Sequence, residues 1–167
     1  MTGEAVPASL PLFRQRVREE WIDYNGHLSE AYYVLVFGFA TDALMDHAGL
    51  DAAYRERTGC SLYTVEAHVR YLREVGPRAD LAVRTTVLGV DGKKVRLLHE
   101  MLLPQEESAD GTVPVVATEE LMALHVDGGT GRTSPFPERA AGRLAALHRD
   151  APEWAGRGIT PVPAVLH

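Results

Sequence analysis

Between Ala31 and Ala40 the chain carries ten residues without a charge, and Leu44 and Met45 extend the apolar character by another turn. Ser29 is suited to cap a helix there, Glu30 sits well against the positive end of its dipole, and His47 with Gly49 marks the exit. Tyr32, Tyr33, Val34, Leu35, Val36, Phe37, Phe39, Leu44 and Met45 do not keep to one stripe of that helix. A helix apolar nearly all round has to be wrapped by other structure. At ~1.5 Å per residue, ~18 residues give a rod of roughly 27 Å, long enough to run through the middle of one domain. Ten apolar residues fall short of the roughly 20 that a bilayer span needs, so no transmembrane segment is expected.

The rest of the chain supplies the wrapping. Leu12 to Trp21 alternates as a strand, and four more strand-like segments follow the helix at Leu62–Leu72, Ala79–Val90, Lys93–Leu103 and Val113–Val126. Asp91-Gly92 predicts a type I′ hairpin, Pro104 to Thr112 a longer polar hairpin loop, and Asp127-Gly128-Gly129 ends the last strand. Pro137 to His148 predicts a short amphipathic helix, and Pro161 and Pro163 an extended tail. The expected architecture is α+β, one long central helix lying in a curled, mostly antiparallel sheet. It divides as a flexible arm over residues 1–9, one domain over 10–136, and a C-terminal helix and tail over 137–167.

Lys plus Arg total 17 against 23 Asp plus Glu, a formal charge of −6 that gives no general attraction to nucleic acid or to an anionic membrane. Any anionic ligand must find a local basic patch, for which Arg70, Arg73, Arg84, Lys93, Lys94 and Arg96 are the sources; solvated strand ends would read the same way. Cys60 is the single cysteine, and Met1 to Leu10 hold no Lys or Arg and no apolar stretch of signal-peptide length, so a reducing cytoplasm is expected. No Cys pair or His-x-x-x-His spacing suggests a metal, no phosphate-binding loop or dinucleotide fingerprint suggests a cofactor, and none of either is expected.

Asp23, Asn25 and His27 fall within five positions, between a strand and the start of the buried helix. Free amides at a helix start can hold an oxyanion, a carboxylate can act as base or nucleophile, an Asn can donate a hydrogen bond, and a His can orient or protonate. The same residues would equally build an ordinary turn and helix cap. In Thr64-Val-Glu-Ala-His-Val-Arg70, alternation places Thr64, Glu66, His68 and Arg70 on one face, where Glu66 and His68 are either a catalytic or a surface pair. His99, Glu100, His125 and Asp127 read as strand-end or surface polar residues.

Trp21-Ile-Asp-Tyr-Asn-Gly-His-Leu28, a helix containing Tyr32, Tyr33 and Phe37, and then an antiparallel sheet resemble the hotdog-fold acyl-CoA thioesterases of the 4-hydroxybenzoyl-CoA thioesterase type. The Asp-x-Asn-x-His spacing is similar to that of plant acyl-carrier-protein thioesterases, with a departure at Ser29, where those enzymes carry Asn. Together with Thr64–Arg70 and Leu124-His-Val-Asp127, the motif most resembles the betainyl-CoA thioesterases of carnitine degradation. The resemblance implies hydrolysis of an acyl-CoA by a homodimer or dimer-based tetramer whose sites lie between subunits. Asp23 would be the acid that activates water or attacks the thioester, with Asn25, His27 and Glu66 beside it, and amides near Gly26 to Ser29 would polarise the carbonyl. Gly26, Tyr32, Tyr33, Tyr63 and His68 would contact the acyl group, with Trp21 as a further aromatic, and Arg70, Arg73, Lys93, Lys94 and Arg96 the CoA. A hotdog domain that binds an acyl-CoA-like ligand without catalysis, and a thioesterase for short-chain or aromatic acyl groups, remain alternatives.

Overall fold

Helix α1 (Glu30–Ala48) starts and stops where the sequence places it: Ser29 is the N-cap residue by backbone conformation, although its side chain makes no capping bond, and Gly49 closes the helix at φ +82°. The structure, a computed structural model, describes residues 9–164, so residues 1–8 of the expected arm and the last three residues of the tail lie outside the described residues.

After α1 come α2 (Ala52–Thr58), β2 (Cys60–Tyr71), β3 (Asp80–Val90), β4 (Lys94–Leu102), β5 (Val115–Asp127), the short β6 (Arg132–Thr133) and α3 (Glu138–Ala146); β1 (Phe13–Arg16) precedes α1. The strands form one antiparallel sheet in the order β1-β3-β4-β5-β2, with β6 beside β5. Alternating apolar residues explain the long central strands: Leu81 and Val83 of β3, Leu97 and Met101 of β4, and Ala117, Leu121 and Ala123 of β5 all turn inward and are buried. Against them α1 lays Tyr33, Val36, Phe37, Ala40, Leu44 and Met45. α3 packs into the same core through Ala140 and Leu144, beside Leu44 and Val87.

Four local expectations change. The sheet does not wrap α1 completely: Ala31, Val34, Leu35 and Gly38, one stripe at helical spacing, stay exposed on the protomer. The β3–β4 turn is not type I′, since neither Asp91 nor Gly92 has positive φ; instead the Asp91 carboxylate accepts from the amides of Lys93 and Lys94, both at 2.9 Å, and closes a wider turn. A bulge at Val65 shifts the register of β2 between Thr64 and Glu66. Thr64 therefore pairs with buried Ala123 on the inner face, while Glu66, His68 and Arg70 take the outer face, so the expected four-residue face is broken. Helix α2, absent from the expected plan, is signalled after the fact by Asp51, whose carboxylate caps Tyr54 N–H at 2.9 Å, and by Gly59 at the exit.

Candidate active site

The loop before α1 is built by its own short side chains. Ile22 and Leu28 bridge antiparallel, Asp23 N–H donates to the His27 carbonyl at 2.9 Å, and Gly26 N–H donates to the Asp23 carbonyl at 3.0 Å. Gly26 takes φ +79°, a conformation that L side chains rarely adopt, which is why the turn needs glycine there. Asp23 Oδ1 accepts from Asn25 N–H at 2.8 Å. Among the described residues nothing bonds Oδ2, so one oxygen fixes the carboxylate and the other is free to react. Ser29 N–H to Trp21 O (3.0 Å) closes the base of the loop, and Leu28 N–H to Val75 O (2.8 Å) locks it onto the segment that follows β2.

That docking creates a cavity of about 420 Å³ lined by Asp23, Asn25, His27, Leu28, Glu30 and Tyr33 on one side and by Tyr71 to Glu74 on the other. Its two tyrosines are held edge to face, ring centroids 5.3 Å apart, with Tyr33 Oη donating to the Arg73 carbonyl at 3.2 Å and Tyr71 Oη to the Glu30 carbonyl at 3.4 Å. Burial raises both phenol pKa values, and nearby acids add to it: Glu74 and Asp23 for Tyr33, Glu30 and Glu119 for Tyr71. The Arg73 guanidinium is already engaged with Glu106, and His27 Nε2 lies 3.4 Å from Glu74. The cavity is consequently acidic, favourable to a cation and to proton abstraction.

The amides of Gly26, Leu28 and Ser29 are bonded to backbone carbonyls and cannot receive an oxyanion as the resemblance implies. The donors left at the site are the His27 amide, within the expected range, and the first-turn amides of α1 at Glu30 and Ala31, which the Ser29 side chain does not cap.

Of the residues singled out in the sequence, the protomer brings Asp23, Asn25, Gly26, His27, Tyr33 and Arg73 together and leaves the others elsewhere. Tyr32 stacks on buried Trp21, centroids 5.3 Å apart. Tyr63 pairs with Leu124 at the far end of β2, and Lys94 pairs with the same residue, whereas Tyr71 pairs with Ala117. Seven residues of strand, roughly 23 Å, separate Lys93 and Lys94 from the cavity. Arg96 Nε donates to Glu120 at 2.7 Å on the outer face, and Glu120 also accepts from Gly156 N–H at 2.6 Å, so the first part of the tail folds onto the sheet. Arg70 lines an outer cleft with Trp154 and Arg157; Leu72 borders both this cleft and the cavity. Glu66 and His68 stand on β2 outside the cavity.

Three polar residues of the interior went unrecognised in the sequence: His99, His125 and Glu119, all buried. The expectation that His99 and His125 are surface residues is wrong because both occupy the inward phase of their strands. His125 Nδ1–H donates to the Ser134 carbonyl at 2.8 Å, and its Nε2 lies 2.9 Å from Tyr54 Oη. Thr41 Oγ1 donates to the Phe37 carbonyl at 3.2 Å, so it receives Nε2–H of His99 at 2.8 Å, and His99 Nδ1 accepts from Thr85 Oγ1 at 2.8 Å. The ring is neutral, and burial lowers its pKa from 6.5 to about 3. By register Glu119 stands opposite His99, on the same inward face, and burial pushes its carboxyl up to about 7. An acid in the inward phase of Ala117, Leu121 and Ala123 was the sequence signal for it.

These two groups act on stability in opposite directions. The unfolded chain binds a proton at His99 below pH 6.5 that the fold refuses until about pH 3, so stability present above 6.5 is lost as pH falls through that window. Glu119 is the reverse: its burial penalty is absent below its ordinary 4.5 and complete above about 7, so it destabilises the fold as pH rises through that window. His99→Gln, which can still bond both threonines, removes the first effect alone. Relative to the wild type its unfolding free energy should rise by about 3 kcal/mol between pH 7 and pH 4. Urea titrations at the two pH values measure this, and a difference that does not change with pH would show that His99 titrates in the fold as it does in water.

Residues 17–144 match the Thioesterase-like superfamily. Over 160 residues the chain is 42% identical to the betainyl-CoA thioesterase of Pseudomonas aeruginosa, covering 92% of this chain and 97% of that one. It is 46% identical over 157 residues to the L-carnitine dehydrogenase/betainyl-CoA thioesterase of Agrobacterium fabrum, a longer protein of which the match covers 31%. Among solved structures, a Staphylococcus aureus protein in complex with CoA superposes with a TM-score of 0.77 at 27% identity, over 91% of this chain and 94% of that one.

Proposed function

The chain belongs to the Thioesterase-like superfamily, and from that premise we propose that it hydrolyses betainyl-CoA to betaine and CoA. The observation that carries this reading is the acid-rich cavity in which Asp23 is fixed through Oδ1 and free at Oδ2. Asp23 takes a proton from a water whose oxygen attacks the thioester carbon. The carbonyl oxygen, now an oxyanion, faces the first-turn amides of α1. Collapse of the adduct breaks the C–S bond, and the proton held by Asp23 passes to the CoA thiolate. Asn25 and His27 orient the thioester, and the CoA chain leaves past Leu72 toward Arg70 and Arg157 on the outer face. Because CoA esters are cytoplasmic metabolites, we place the protein there; among the described residues no helix is long and apolar enough to cross a membrane.

The working form is a homodimer in this reading. Along β2, an edge strand, Tyr63 to Ala67 are exposed, Val65 at 56%, and the uncovered α1 stripe is apolar. An edge with unpaired backbone groups is a template for a second copy of itself. Pairing there would carry Glu66 and His68 of each copy into the interface.

A thiol-release assay with betainyl-, acetyl-, palmitoyl- and 4-hydroxybenzoyl-CoA tests the proposal. Betainyl-CoA should have the highest kcat/KM, by about tenfold or more, since only it offers a cation to the acidic cavity. Preference for the aromatic or fatty ester would replace the substrate and keep the chemistry, while CoA binding without turnover of any ester would mark a non-catalytic binding domain.

A further inference from the structure

Glu119 is a carboxylate with nothing to bond. It is 5% exposed, and no hydrogen bond or ion pair reaches it from any described residue. Its register neighbour His99 offers no cation, being neutral with both ring nitrogens taken by Thr41 and Thr85. Leaving a buried acid unpaired is costly, and a native interior rarely does so without a reason. No completely sealed side-chain oxygen or nitrogen among the described residues lacks a partner, so the carboxylate keeps a sliver of accessible surface.

Glu119 lies in the sheet close to the wall of the active-site cavity. Glu119 lies two residues along β5 from Ala117, the partner of Tyr71, hence roughly 7 Å deeper, and its charge is felt at the Tyr71 hydroxyl. Tyr71 and Tyr33, in edge-to-face contact, line the cavity on that side. A buried, unpaired acid near two aromatic rings suits a cation held by charge and ring faces rather than by several hydrogen bonds. A lysine or an ordinary amine would demand hydrogen-bond acceptors all round, whereas a quaternary ammonium needs only charge and aromatic surface.

We propose that Glu119 is the counter-charge for the trimethylammonium group of the acyl chain and thereby the residue that selects a cationic substrate. The inference rests on the betainyl-CoA reading and adds the residue that makes the selection. Glu66, the carboxylate with that potential in the sequence, is exposed on the outer face and already solvated, whereas Glu119 is buried on the inner one. Burial that pushes the Glu119 carboxyl up to about 7 is the expected state of a site awaiting its cation.

The test compares betainyl-CoA with 3,3-dimethylbutanoyl-CoA, the ester of the same shape with carbon in place of nitrogen and no charge. In Glu119→Gln the ratio of kcat/KM values, cationic over neutral, should fall about 100-fold, chiefly through KM for the cationic ester, with the neutral ester turned over at least as well as before. Glu119→Asp, which keeps the charge, should recover part of the ratio. A ratio unchanged in Glu119→Gln overturns the proposal while leaving thioester hydrolysis intact, and so does a loss shared equally by both esters or a loss of self-association with the ratio preserved. Failure of the wild type to hydrolyse either ester overturns the functional reading and this inference with it.

Discussion

Asp23→Asn is expected to lower kcat on betainyl-CoA about 10³-fold, within the range that removal of a general base produces, while KM stays within about threefold. The substitution is nearly isosteric, and the Asn carbonyl can still accept the Asn25 amide proton that Asp23 Oδ1 accepts at 2.8 Å, so the turn and the start of α1 should keep their geometry. Only the basicity of the free oxygen is lost. Asp23→Ala removes the turn-closing bond as well, and should add a loss of thermal stability and a rise in KM to the same fall in kcat. Thiol release with unfolding monitored in parallel separates the two variants. A fall of less than tenfold in Asp23→Asn would remove Asp23 from the role of base and direct attention to Glu74 or Glu30, the other acids of the cavity.

The double variant Val65→Glu/Ala67→Glu should leave the protomer folded and abolish both self-association and activity. Val65 is 56% exposed at the β2 bulge and Ala67 is exposed beside it, so neither substitution buries a charge within one chain, and surface changes of this kind usually move stability by about 0.5 kcal/mol or less. Across a symmetric edge-to-edge contact the four introduced carboxylates face one another, and like charges in register oppose pairing. Sedimentation should report a single chain, circular dichroism an unchanged fold, and the thiol-release assay a loss of about 100-fold or more if residues of both copies complete the site. A variant that still dimerises with full turnover would show that the β2 edge is not where copies meet.

The reach of the sequence differed from element to element for physical reasons. Helix α1 was legible because its boundaries are local chemistry, a polar residue before it and a glycine at positive φ after it. The four long strands were legible to within two residues because branched residues dominate them. The Asp23–His27 loop was legible as a turn because Asp, Asn and Gly bond to their own neighbours, and the structure shows them doing so. The bulge at Val65 was not: inserting one residue into the pairing leaves no trace in composition, yet it moves Thr64 to the opposite face from Glu66. The placement of the basic residues was not legible either: Arg73 lines the cavity, while Lys93, Lys94 and Arg96 stand toward the far end of the sheet from it.

The sequence by itself determined the central helix, the antiparallel strands, the Asp23–His27 turn before the helix and, by resemblance, the family, because each depends on a short run of residues or on the order of such runs. Only the tertiary structure decided that one stripe of the apolar helix stays uncovered, that Asp23 keeps one oxygen free, and that Glu119 lies unpaired beside the aromatic wall of the cavity. Those are statements about which groups are withdrawn from water and which partners reach them. Burial and partnership are set by segments distant in the chain, and so they become visible only when β2, β5 and α1 are packed against one another.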